Sequence, residues 1–143
     1  MTTVVSLERN RTVVYSLFDE VFNRGNMKVL DDICNSKFVL ESPEMTRKQN
    51  IQEGLTVFKE RIKSLRAAFP NLKYTINDSV TSENKVAISS SFSGIQKGEF
   101  AGIAPTNKQI NAYELYFIHL NDSKIERIRL SPFGPNVIQL LSA

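Results

Sequence analysis

The chain has 143 residues, enough for one domain over residues 1–143 that buries roughly two thirds of its unfolded surface. Apolar residues make up 41% and charged residues 23%, which excludes the charge-rich, core-poor composition of disordered chains. Eighteen basic against fifteen acidic side chains give a formal charge of +3, too small to imply a nucleic-acid or membrane partner without clustering on one face.

Val14, Leu17, Phe18, Val21 and Phe22 recur at helical spacing and predict a long first helix that Gly25 ends. A short second helix around Lys28 to Ile33 leads to a brief strand, Phe38 to Leu40, stopped by Pro43. Ile51, Leu55, Phe58, Ile62, Leu65 and Phe69 predict a third helix, which Pro70 closes. Its basic residues, Lys59, Arg61, Lys63 and Arg66, avoid the apolar stripe and read as a solvated face.

From Leu72 the period becomes two, with Leu72, Tyr74 and Ile76 and then Val86, Ile88 and Phe92 on the apolar sides of antiparallel strands. Turns at Ser82-Glu83-Asn84 and Asn121-Asp122-Ser123 join hairpins, the last of them pairing Ile110 to Leu120 with Lys124 to Leu130. Gly134, Pro135 and Asn136 break the final strand before a short apolar tail, Val137 to Leu141. Three helices followed by a run of strands predict a segregated α+β domain rather than a parallel α/β sheet.

In strand Ile110 to Leu120 the even positions hold Ala112, Glu114, Tyr116 and Ile118, and the odd ones Tyr113, Leu115, Phe117 and His119. Neither face is polar enough to meet water, so a homodimer packed through the sheet is expected. His119, the one histidine, then belongs to an interface or surface rather than to a pocket.

Cys34 is the only cysteine, so no intrachain disulfide or multi-cysteine metal site can form, and a buried, inert thiol is expected. Residues Met1 to Arg9 lack the pattern of a secretion signal, and no apolar run approaches the ~18 residues of a membrane span. A cytoplasmic location is expected. No phosphate loop precedes a helix and no histidine pair stands at metal-ligand spacing, so operation without metal or cofactor is expected.

Gly94-Ile95-Gln96-Lys97-Gly98-Glu99-Phe100-Ala101-Gly102-Ile103-Ala104-Pro105-Thr106-Asn107-Lys108 resembles the "G-T-H-x-G-E-F-x-G-I-x-P-T-G-K" signature of the SnoaL-like polyketide (ester) cyclases. Asn23-Arg24-Gly25-Asn26, Ala68-Phe69-Pro70-Asn71-Leu72, Asn84-Lys85-Val86-Ala87 and Asp122-Ser123-Lys124-Ile125 are similar, in order, to that family's "N-x-G-D/N", "A-F-P-D-L", "D-K-V-A" and "D-G-K-I". The resemblance implies the nuclear transport factor 2-like fold, a cone-shaped α+β barrel of three N-terminal helices on a curved, mostly antiparallel sheet around one pocket. It also implies cofactor-free ring closure of a small apolar carbonyl compound.

The family's acid/base residues have no direct counterparts. Counted from Lys124-Ile125, the Glu, Trp and Asp of its "x-E-x-W-x-x-x-D" ending fall at Arg127, Arg129 and Phe133, the histidine of "G-T-H" at Gln96, and that of the first strand at Glu41. On the side where the family keeps its Trp and Asp, odd positions would aim Arg127, Arg129 and Phe133 into the pocket, so a contact between Glu114 and Arg129 is expected. An altered catalytic set of Glu114, Glu41, Tyr116 and Arg129 follows, with Phe18, Phe58, Gln96, Phe133 and Arg127 against the ligand. Three readings stay open: a cyclase or isomerase with this set; a binder of small apolar or carboxylated ligands that has lost the chemistry, Arg129 selecting the acid; and a scaffold dimer whose pocket is filled by its own side chains.

Overall fold

The computed structural model describes residues 4–44 and 49–143. Helix α1 (Val4–Ser16) runs on into a π-helical stretch, Leu17–Asn23, and is followed by α2 (Lys28–Ile33). Strands β1 (Cys34–Glu44) and β2 (Gln49–Glu53) come before α3 (Leu55–Ala68). Then follow β3 (Lys73–Thr81), β4 (Lys85–Ile95), β5 (Gln109–Asn121), β6 (Lys124–Pro132) and a short α4 (Val137–Leu141).

The six strands form one sheet in the order β2-β1-β6-β5-β4-β3, antiparallel throughout except where β1 runs parallel to β6. Helices cover one face, so the domain is α+β with its core between helices and sheet. Phe18 fixes that core: it is 1% exposed and meets Phe22, Tyr116 and Tyr74 edge-on at 5.0, 5.1 and 6.0 Å between ring centroids. Val86, Ile88 and Phe92 of β4 and Ala112, Tyr116 and Ile118 of β5 supply the sheet side.

Predicted boundaries move at both ends of β1 and at the start of α3. β1 continues past Pro43, because its pairing with β6 ends at Glu41 opposite Arg129 and beyond that point only β2 lies alongside. A proline is tolerated where one strand edge has no partner. Ile51 belongs to β2, opposite Ser42, and α3 starts at Leu55.

The end of the first helix is built by three contacts at once. Gly25 takes φ +75°, and its amide bonds Val21 O at 2.9 Å. A Cβ on Gly25 would lie 2.6 Å from Nε of Arg66, whose Nη1 donates to the carbonyls of Phe22 and Asn23 at 2.6 and 2.8 Å. Arg66 therefore caps a helix C-terminus and is not part of a solvated basic face. Lys59 and Arg61 are also engaged, with Asp31 and Glu53. Asn23 meanwhile donates to Tyr74 O at 3.0 Å and accepts from Tyr74 N at 2.7 Å, closing the free edge of β3 and fixing Tyr74 beneath the helix.

One irregularity decides which side chains face the core. Leu120 pairs with Ile125 but His119 pairs with Arg127, so Glu126 is an extra residue in β6. Such a bulge exchanges the two faces of the strand beyond it. Ile125 is buried at an odd position, and after the bulge Ile128, Leu130 and Pro132 take over at even ones.

Candidate active site

Between α3 and the sheet lies a cavity of about 640 Å³, open at one end. Helix α3 lends it Phe58, Arg61, Ile62, Ser64 and Leu65; the sheet lends Leu40, Ser42, Tyr74, Glu114, Tyr116, Leu130 and Pro132. Asn136, Val137 and Ile138 close a third side, and Glu99, Phe100 and Ala101 a fourth. The walls are mostly apolar, with a few polar groups converging, which is the usual make-up of a small-molecule site.

Glu114 is the focus of those polar groups. Glu114 and Tyr116 are two apart on one face of β5, so strand geometry sets their side chains side by side. Tyr116 donates its phenol hydrogen to Glu114 Oε1 at 3.1 Å. The Tyr74 hydroxyl also hydrogen-bonds the carboxyl. Burial pushes the Glu114 carboxyl above the ordinary glutamate range, and the two phenol hydrogen bonds oppose that rise only in part. The side chain keeps some exposed surface, but what it faces is the apolar cavity. Burial, then the Glu114 charge, lifts both tyrosines well above the usual phenol value, so they stay protonated donors.

The signature loop forms the fourth wall, and Gln96 holds it. Gln96 is fully buried; its amide nitrogen donates to Gly98 O and Ile103 O, each at 3.0 Å, and its oxygen accepts from Thr106 N at 2.9 Å and Thr106 Oγ1 at 2.8 Å. The amides of Lys97 and Gly98 in turn bond Ala68 O at the end of α3, at 2.8 and 3.1 Å. A Cβ at Gly98 would stand 3.0 Å from Ala67 O, so the loop reaches the helix this closely only through a glycine.

Of the residues expected at the site, Glu114, Tyr116 and Phe58 line the cavity. Phe18 packs behind Tyr116 in the core, and Gln96 sits at the root of the loop rather than against a ligand. The expected contact between Glu114 and Arg129 is not made. Arg129 Nε pairs with Glu41 Oε1 at 3.3 Å and Arg127 Nη1 with Glu41 Oε2 at 3.5 Å, on the outer face of the sheet. Leu40 and Ser42 point inward, so Glu41 between them points out, and the bulge at Glu126 turns Arg127 and Arg129 outward to meet it. Phe133 is 67% exposed beyond the end of β6.

From sequence Tyr74 reads only as a wall aromatic; its place beside Glu114 depends on β3 and β5, which are not sequential neighbours, being held in register by β4 between them. Leu130, Pro132 and the α4 residues were hidden by the bulge and by the chain's return over the cavity. His119 lies half-buried on the outer face, where burial and then Lys85, Arg127 and Arg129 depress its basicity. Among the described residues no three His, Cys, Asp or Glu side chains gather as metal ligands, and no helix is long and apolar enough to cross a membrane.

The sequence profile of the SnoaL-like polyketide cyclases matches residues 12–131. No curated protein sequence matches the chain. Among solved structures, a SnoaL-like polyketide cyclase from Jannaschia sp. CCS1 superposes with a TM-score of 0.83 at 18% identity, covering 100% of this chain and 96% of that one. A polyketide cyclase from Acidithiobacillus ferrooxidans gives 0.78 at 20% identity over 99% and 98% of the two chains. AclR of Streptomyces galilaeus, described as a hydroxylase, gives 0.79 at 15% identity over 95% and 82%. At these identities the structures show a shared cone fold and no more. With the profile matched over most of its length, the chain belongs to the SnoaL-like polyketide cyclase family.

Proposed function

We propose that the protein is a cyclase or isomerase that acts on a small apolar carbonyl compound by acid/base chemistry, with Glu114 as base and Tyr116 and Tyr74 as donors. The observation that carries this reading is the carboxyl of Glu114 set among apolar walls with a phenol donor at 3.1 Å. In the ionised form the carboxylate removes a proton from the carbon next to the carbonyl. The C–H electron pair moves onto the carbonyl oxygen as an enolate, and the phenols, whose single hydrogens Glu114 no longer needs once it is protonated, turn them to that oxygen. The enolate carbon then attacks a second carbonyl of the same molecule, forming the ring C–C bond while that carbonyl's oxygen, now an alkoxide, takes the proton from Glu114; in a conjugated substrate the proton instead returns from Glu114 to the far carbon of the dienolate, and the double bond moves. The carbonyl itself acidifies the carbon, so no cofactor is needed for the step.

Solvent-deuterium uptake into apolar aryl ketones tests the reading. The wild-type protein is expected to catalyse exchange, and Glu114→Gln to lose it by at least about 100-fold. Exchange at full rate in the variant contradicts it.

A second reading, a binder without turnover, draws on Phe133, the position at which the family's catalytic carboxylate is expected. It predicts apolar ligands that raise the melting temperature with no exchange.

A further inference from the structure

The cavity carries an imbalance of charge. The ionisable side chains that line it, among the described residues, are Arg61, Glu99, Glu114, Tyr74 and Tyr116. Arg61 already holds Glu53 in a two-pronged pair, Nε to Oε2 at 2.5 Å and Nη2 to Oε1 at 2.8 Å. That carboxylate is held below the usual range by the same guanidinium. Arg127 and Arg129 of β6 face the opposite side of the sheet with Glu41. Glu114 thus has phenol partners but, among the described residues, no cationic one. Around it stand the rings of Phe22, Phe58, Tyr74 and Tyr116, with Phe22 and Tyr74 centroids 4.8 Å apart.

We infer that the cavity discriminates by charge: its substrate is an apolar carbonyl compound that carries no acidic group, and any charged group it does carry is an ammonium. A ligand carboxylate beside Glu114 would force two like charges together in a medium that screens them poorly, or leave one of the pair protonated. A neutral carbonyl has no such conflict. An ammonium meets a carboxylate and the faces of several rings. The inference rests on the proposed function for its carbonyl, but its charge preference stands on the cavity alone.

Three matched bicyclic probes separate the outcomes: 2-acetylnaphthalene, 2-naphthoate and 2-(aminomethyl)naphthalene, titrated calorimetrically against the whole chain at neutral pH. The acid is expected to bind at least about tenfold more weakly than the ketone, and the amine no more weakly than the acid. In Glu114→Gln the ketone-to-acid gap should narrow, whereas Glu41→Gln should leave it unchanged. A 2-naphthoate that binds as tightly as the ketone overturns the inference without any variant, as does a gap that Glu114→Gln leaves intact. The proposed function fails separately: probes ranked as expected with no deuterium exchange would remove the catalysis and keep the charge preference.

Discussion

Tyr116 donates its hydroxyl hydrogen to the carboxyl of Glu114 two positions earlier on the same face of β5, at 3.1 Å, and both open onto the same cavity. This pairing places a proton acceptor and a donor on a rigid strand rather than on a loop. It also loads a carboxyl into apolar surroundings, and that has consequences for stability.

The Glu114 carboxyl is raised in the folded state by burial. Between the ordinary glutamate value and the folded one, the unfolded chain has lost its proton while the folded chain keeps it. Stability must therefore fall as pH rises through that window, and be fully restored below it. Glu114→Gln keeps an acceptor for Tyr116 and removes the charge. Its unfolding free energy in urea should exceed that of the wild type at neutral pH, by on the order of 1 kcal/mol, and lose this pH dependence. The two curves should converge in acid.

Gln96 uses both ends of its buried amide on the signature loop. Gln96→Leu leaves two carbonyls and the Thr106 groups without those partners, and should cost about 3 kcal/mol in chemical denaturation. Ketone binding should weaken together with stability, because Phe100 is carried into the cavity by the same loop.

Cys34 is buried, and its thiol is pushed up to about 12 by burial and then by Asp31. A neutral thiol is a poor nucleophile. Iodoacetamide should label it at the rate of unfolding, with no label on the folded protein at neutral pH. Rapid labelling under native conditions would contradict the burial.

The outer face of the sheet leaves Tyr113 51% and Phe117 40% exposed, beside the cluster of Glu41, Arg127 and Arg129. We expect a second copy of the chain to cover this face. Sedimentation should show a dimer, and Phe117→Arg, which sets a cation opposite Arg129 on the neighbouring strand, should give a monomer with its cavity intact.

Much of the architecture is legible because it rests on periodicity. The two-fold alternation of Val86, Ile88 and Phe92 and of Ala112, Glu114 and Tyr116 survives unaltered in β4 and β5, so Glu114 and Tyr116 stand as neighbours on one face and line the cavity. The same counting fails in β6, where one unpaired residue, Glu126, reverses the parity and sends Arg127 and Arg129 to the far side. The bulge's mark in the sequence is the apolar step from Ile125 at an odd position to Ile128 and Leu130 at even ones, too brief to stand out against the expected alternation. Ile51 fails for a related reason: its spacing to Leu55 fits a helix, but Gly54 separates a strand from the helix proper. Tyr74 depends on pairing across β4, and no local pattern encodes that.

The account turns on Glu114 being a desolvated carboxyl inside a ligand cavity. Carboxyl-carbon NMR of glutamate-labelled protein, with the Glu114 resonance assigned by its loss in Glu114→Gln, measures this directly. The account predicts a midpoint clearly above the usual value of about 4.3. A midpoint at or below that value would show a solvated or cation-paired carboxyl and contradict it.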